Sequence, residues 1–216
     1  MYKKLKELNL EKYINHFCGG VLVSDKYFNA LENFVNSLTT ENFQTLKSKL
    51  KGNKKNSEIA DLLHEVEVAY VFHPRARFNV DGPDLENGIS IEIKTLNESK
   101  EENNRHQRDS FSCVSPILAN EKKTEEHDLI IAAVRNKANY HLEKANKQLK
   151  GKGLIYLIWD YDNLLHGNDG QVHRKILDGN STQKIINEVV KEFTECHPCL
   201  TIKNLYFADL RNLVTD

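Results

Sequence analysis

Apolar residues recur along this chain at steps of three and four in some stretches and of two in others, and these periods mark out helices and strands. Between Ser57 and His73, Ile59, Leu62, Leu63, Val66, Ala69 and Tyr70 follow helical spacing. Ser57 suits the N-cap, Glu58 and Asp61 favour the first turn, and His73-Pro74 stops the helix. Arg75 to Val80 and Asp84 to Glu86 read as two short strands, with turn residues from Asn79 to Pro83. Ile89 to Leu96 alternates, so Ile89, Ile91 and Ile93 face one side and Ser90, Glu92 and Lys94 the other.

From Glu125 to Lys150, the positions Ile131, Val134, Ala138, Leu142, Ala145 and Leu149 indicate one long amphipathic helix, ended by Gly151 and Gly153. The run Asp128 to Val134 also fits a buried strand, because short apolar runs do not separate the two. Leu154 to Trp159 is apolar throughout, as in a strand covered on both faces. Ser181 to Glu195 reads as a helix with Ile185, Ile186, Val189, Val190 and Phe193 on its core face, and Asn204 to Leu210 as a last strand. Ahead of these, Leu5, Leu8, Ile14 and Phe17, then Tyr27, Phe28, Leu31, Phe34, Val35 and Leu38, outline two amphipathic helices joined by a loop around Cys18-Gly19-Gly20. The alternation of helices and strands predicts an α/β fold. It divides into an N-terminal helical segment, residues 1–52, packed on a core of residues 53–216 that ends in a helix and a strand.

The chemistry concentrates in Gly82-Pro83-Asp84 and Glu92-Ile93-Lys94. Residues two apart on a strand lie roughly 6.5 to 7 Å apart, so Glu92 and Lys94 serve adjacent positions of one site, with Asp84 alongside on the neighbouring hairpin strand. Magnesium keeps several waters and is held by one or two carboxylates plus phosphate oxygens, which suits Asp84 and Glu92. An ammonium beside them, Lys94, holds an attacking water or offsets charge on a transferring phosphoryl group.

This arrangement resembles the PD-(D/E)xK nuclease superfamily, the matching residues being Pro83, Asp84, Glu92 and Lys94. The resemblance implies a restriction-endonuclease-like core of order αβββαβ, with a mixed central sheet flanked by helices, laid along the chain from about Ser57 to Asp160. It implies an Mg2+ ion, replaceable by Mn2+, bound by Asp84, Glu92 and the backbone carbonyl of Ile93. It also implies an acid from the first core helix. Glu65, in His64-Glu65-Val66-Glu67-Val68-Ala69, is favoured for that role, with Glu58 and Glu67 as alternatives. Lys144 and Gln148, one turn apart on the later helix, match positions that approach the scissile phosphate in related nucleases.

A net charge of −1 means that a protein meant for DNA must distribute its charge unevenly. Lys47 to Lys55 carries five lysines and no acid, reading either as a backbone-tracking segment or as a solvated loop. Arg75, Arg77, Arg105, His106 and Arg108 flank the proposed hairpin, with Asn103, Asn104 and Gln107 available to base edges, the latter group inside a polar stretch from Asn97 to Glu126. With 39% hydrophobic and 28% charged residues, the composition is that of a water-soluble globular protein. No apolar run reaches the roughly 20 residues of a membrane span, and the N-terminus lacks the apolar core of a signal peptide, so a cytoplasmic location with no membrane partner is expected. Cys196-His197-Pro198-Cys199 has zinc-knuckle spacing but lacks a second ligand pair, and reads instead as the end of the preceding helix, which Pro198 blocks from continuing.

The expectation is an Mg2+-dependent endonuclease acting on double-stranded DNA as a homodimer, of the type II restriction or other defence class. Two other classes fit the same residues. One is a nuclease for structured DNA or RNA, and the other a nucleic-acid-binding module that keeps the fold without the chemistry.

Overall fold

In a computed structural model of the chain, residues 3–8, 10, 25–49, 56–97, 119–160 and 179–215 are described. The first elements are helices α1 (Lys3–Glu7), α2 (Asp25–Ser37), α3 (Thr40–Lys49) and α4 (Asn56–Phe72). Strands β1 (Arg77–Phe78), β2 (Leu85–Glu86) and β3 (Ser90–Asn97) follow, then helix α5 (Ala119–Leu149) and strand β4 (Gly153–Asp160). Helix α6 (Gly179–Cys196), strand β5 (Leu200–Tyr206) and helix α7 (Phe207–Thr215) complete the described chain.

The strands form a five-stranded mixed sheet in the order β1-β2-β3-β4-β5, antiparallel through β3 and parallel from β3 to β5. Helices cover both faces. Leu154, Tyr156 and Ile158 of β4 join Ile91 and Ile93 in a core beneath α4, α2 and α7, while Ile155, Leu157 and Trp159 join Leu96 beneath α5 and α6. That two-sided cover is why β4 is apolar at every position from Leu154 to Trp159.

Several boundaries differ from those the sequence predicts. The last strand is Leu200–Tyr206 rather than Asn204 to Leu210, and Phe207 opens a helix whose Leu210 and Val214 reach the core. Asp128 to Val134 is helical, since α5 starts at Ala119. Helix α3 stands where the lysine-rich stretch begins: the Asn42 N–H donates to Thr39 Oγ1 as an N-cap bond, and Phe43 and Leu46 are buried. The remainder of the lysine run lies outside the described residues or their side chains, as do the loop around Cys18 and the stretch holding Asn103, Asn104, Arg105, His106, Gln107 and Arg108.

The turn from α5 into β4 fixes the register of the central strands. Gly151 N–H donates to Asn146 O and Lys150 N–H to Lys147 O, a Schellman pairing that puts Lys150 at φ +53°, where glycine is the usual residue. Gly153, at φ +145°, passes so close to β3 that an added Cβ would lie 2.5 Å from the Ser90 carbonyl oxygen. A side chain there would push β4 away from β3.

Candidate active site

The site forms where β2 parts from β3. Pairing between them extends only over Leu85↔Ile91 and Glu86↔Ser90, so from Glu92 onward the β2 side of β3 has no strand partner among the described residues. Asp84, immediately before β2, supplies the missing acceptor: its Oδ2 accepts from the Ile93 N–H at 2.9 Å. A strand residue's N–H and C=O point to the same side, so the Ile93 carbonyl also faces this open edge beside Asp84.

Glu92 is 0% exposed. One of its oxygens, Oε1, accepts from Lys94 Nζ, while Oε2 is buried with no hydrogen-bond partner among the described residues. Burial and the negative charge of Asp84 push the Glu92 carboxyl up to about 7, against the opposing pull of Lys94. Helix α4 brings Glu65 to the same cluster. It is buried, and burial together with Asp84 raises it well above the usual carboxylate range, although Lys49 opposes the shift. Asp61, one turn earlier, is raised too: crowding by protein around its carboxyl is the main cause even though the residue remains exposed, and Asp84 adds to it, while Thr95, His64 and Lys94 pull it down.

Three members of this neighbourhood have no counterpart in the sequence motif. Lys49, the last residue of α3, is ion-paired to Glu65 at 2.5 Å and to Asp84 at 3.4 Å. Burial lowers its ammonium, but the two carboxylates outweigh that and raise it above the ordinary lysine value. Asp61 is the second. His141 of α5 is the third: burial and the charges of Lys137, Lys94 and Lys144 lower it to about 4, which keeps the imidazole neutral near pH 7. Its Nδ1 is buried and has no hydrogen-bond partner among the described residues. A helical pattern signals the His141 position, since Lys137, His141, Lys144 and Gln148 share one stripe beside the apolar face of α5.

The other residues singled out in the sequence fall in different places. Glu67 is turned away from the cluster and is 0% exposed: it accepts from the Tyr27 hydroxyl, meets His64 Nδ1 at 2.8 Å and pairs with Arg211 at 3.5 Å. Burial alone would raise its carboxyl, but His64, Arg211 and Tyr27 together hold it below the ordinary value. Its role is therefore to tie α4 to α2 and α7. The side chain of Glu58 lies outside the described residues. Arg75 and Arg77 are exposed, and Arg77 reaches Glu86 across the hairpin at 3.6 Å. Lys144 is exposed, and Gln148 is half-buried with its Oε1 unpartnered. Cys196 and Cys199 are free and exposed, and Cys196 ends α6.

Among the described residues, no three His, Cys, Asp or Glu side chains stand as a ready metal-ligand set. Magnesium does not require one, because one or two carboxylates suffice when waters and phosphate oxygens complete its shell. Asp84, Glu92 with its orphaned oxygen and the Ile93 carbonyl fit that kind of site. No helix among the described residues is long and apolar enough to cross a membrane. No family model matches the chain, and no curated protein or solved structure matches it.

Proposed function

We propose that this chain is a magnesium-dependent endonuclease of the PD-(D/E)xK superfamily that hydrolyses phosphodiester bonds of double-stranded DNA, in the type II restriction or other defence class. The observation that carries this reading is the meeting of Asp84, Glu92 and Lys94 at the open edge of β3, with Glu65 of α4 behind them. The order α4-β1-β2-β3-α5-β4 supports it, since it follows the αβββαβ order of the restriction-endonuclease-like core.

Asp84, Glu92 and the Ile93 carbonyl would hold Mg2+ or Mn2+, which supplies Lewis-acid charge and a bound water acidified towards neutrality. Lys94 Nζ, fixed against Glu92, orients the attacking water and balances charge on the phosphoryl oxygens. The water gives up a proton to solvent as its oxygen bonds to phosphorus, the P–O bond to the leaving sugar oxygen breaks, and that oxygen takes up a proton from solvent. Lys144 and Gln148 line the approach from α5, and His141, neutral and with an unpartnered nitrogen, offers a further hydrogen-bonding group there. Symmetric cleavage of a duplex would favour two such sites related by a two-fold axis, as in a homodimer.

The test is incubation of purified protein with supercoiled plasmid and phage genomic DNA, in magnesium or EDTA, beside Asp84→Ala and Lys94→Ala. Discrete magnesium-dependent fragments are expected from the wild type. Loss of at least about 100-fold in rate is expected in each variant, as when a charge-stabilising group is removed. Full activity in either variant would overturn the residue assignment. Cleavage confined to branched DNA or RNA would move the substrate class, and magnesium binding without cleavage of any nucleic acid would leave a binding module.

A further inference from the structure

Lys49 comes from a helix outside the αβββαβ order, yet it is held as a bound cation would be. Its Nζ lies between Glu65 Oε2 and Asp84 Oδ1, and only 13% of the side chain is exposed. The helix that presents it is fastened to the sheet: Asn42 Nδ2 donates to the Ala76 carbonyl at 3.1 Å, and the Phe78 N–H donates to Asn42 Oδ1 at 3.2 Å. Phe43 and Leu46 are buried beneath the same helix. The helix that carries the lysine is thus placed by packing and by hydrogen bonds remote from the acids, while the ammonium itself is held by Glu65 and Asp84.

Asp84 is divided between two neighbours, with Oδ1 on Lys49 and Oδ2 on the Ile93 N–H. Glu65 and Asp84 enclose an amine, whereas Glu92 presents a buried oxygen with no hydrogen-bond partner among the described residues. Paired divalent ions in phosphodiester-cleaving sites stand about 3.5–4 Å apart and use neighbouring oxygens. An ammonium supplies positive charge and three donors to such oxygens but has no open position to bind and acidify a water.

We propose that Lys49 is the resident second cation of this site, so that the chain loads one divalent ion where Glu65 and Asp84 would otherwise take a second. The inference rests on the reading of the site as a metal-dependent nuclease. It makes Lys49 a positioning residue: it orders Glu65 and Asp84, while the divalent ion at Glu92 is the one that activates water.

The experiment counts bound ions without reference to cleavage. Mn2+ is titrated into full-length protein without DNA and the free ion is followed by electron paramagnetic resonance, for the wild type, Lys49→Met, Lys49→Gln and Glu92→Gln. One ion is expected in the wild type, two in Lys49→Met, and at least a tenfold weaker first ion in Glu92→Gln. Lys49→Gln keeps a donor against Glu65 without the charge and serves as the readout if the methionine variant does not fold. One ion in both wild type and Lys49 variants, with unchanged affinity, would overturn the role of Lys49 and leave the metal site standing. Two ions in the wild type would also overturn it, as would none in the wild type and one in Lys49→Met, which would make the lysine a competitor for the sole ion. No binding by any of the four proteins, either alone or with an uncleavable phosphorothioate duplex that supplies the phosphate oxygens, would overturn the metal-dependent reading itself, and this inference with it.

Discussion

Glu92 and Glu67 are both fully buried acids, yet their surroundings move them in opposite directions. Glu67 has a histidine, an arginine and a tyrosine hydroxyl, and its carboxyl is lowered; its stabilisation is present above the ordinary glutamate value and is lost as pH falls through the lowered one. Glu92 has Lys94 on one side and Asp84 on the other, and burial carries it up to about 7. An acid raised on folding destabilises in its ionised form, so the cost of Glu92 is full above pH 7 and disappears towards its ordinary value near 4.5. Glu92→Gln should therefore stabilise metal-free protein at pH 8, by on the order of 1–3 kcal/mol, with the advantage fading by pH 5. Urea unfolding of both proteins at the two pH values checks this, and a glutamine variant no more stable than wild type at pH 8 would contradict it. Sequence could not rank Glu65 and Glu67 by partners, because apart from His64, three residues before Glu67, those partners are distant along the chain: Lys49 is 16 residues from Glu65, and Tyr27 is 40 from Glu67. Asp84, Glu92 and Lys94 were legible because their relation is local, set by one hairpin and the two-residue period of one strand.

At the scale of elements, α4, β3, α5 and β4 follow from periodicity because each buries one stripe or both faces continuously. The last strand and helix were harder to divide. Leu200-Thr201-Ile202-Lys203 alternates as well as the residues after it, and Phe207, Leu210 and Val214 only declare a helix once the sheet has ended at Tyr206. Helix α5 ends at Leu149, two residues before the glycine that sequence nominates, leaving Lys150 in the left-handed conformation at φ +53°. A side chain in that region costs roughly 1–2 kcal/mol, and glycine relieves it. Lys150→Gly is thus expected to raise stability by about 1 kcal/mol, the relief being partly offset by the greater chain entropy of glycine when unfolded. The midpoint of urea unfolding reads this, and a lower midpoint would mean that the lysine side chain contributes contacts outweighing its backbone strain.

For the whole molecule, the N-terminal helices share one interior with the sheet. Leu5, Leu8, Tyr27, Leu31, Val35, Phe43 and Leu46 belong to the same core as Leu63, Val66, Ile91, Tyr156 and Leu210. Full burial of one large apolar side chain contributes about 1.5–3 kcal/mol, so these seven N-terminal residues together contribute on the order of 10–20 kcal/mol, as large as the roughly 5–15 kcal/mol by which whole domains are stable. Removing them would also strip Glu67 of the Tyr27 hydroxyl and Glu65 of the Lys49 ammonium, leaving buried acids short of partners. Deletion of residues 1–52, the boundary that sequence draws, is therefore expected to abolish cooperative folding rather than trim an appendage. The full chain should unfold in urea as one transition, with near-ultraviolet circular dichroism and tryptophan fluorescence coincident, since the one tryptophan, Trp159, lies on the α5 and α6 side of the sheet, away from the N-terminal helices. The deleted chain should lack the near-ultraviolet signal and any sharp transition. A soluble truncated protein with a cooperative transition within about 2 kcal/mol of the full chain would instead place the stability of the fold in the sheet and its later helices alone.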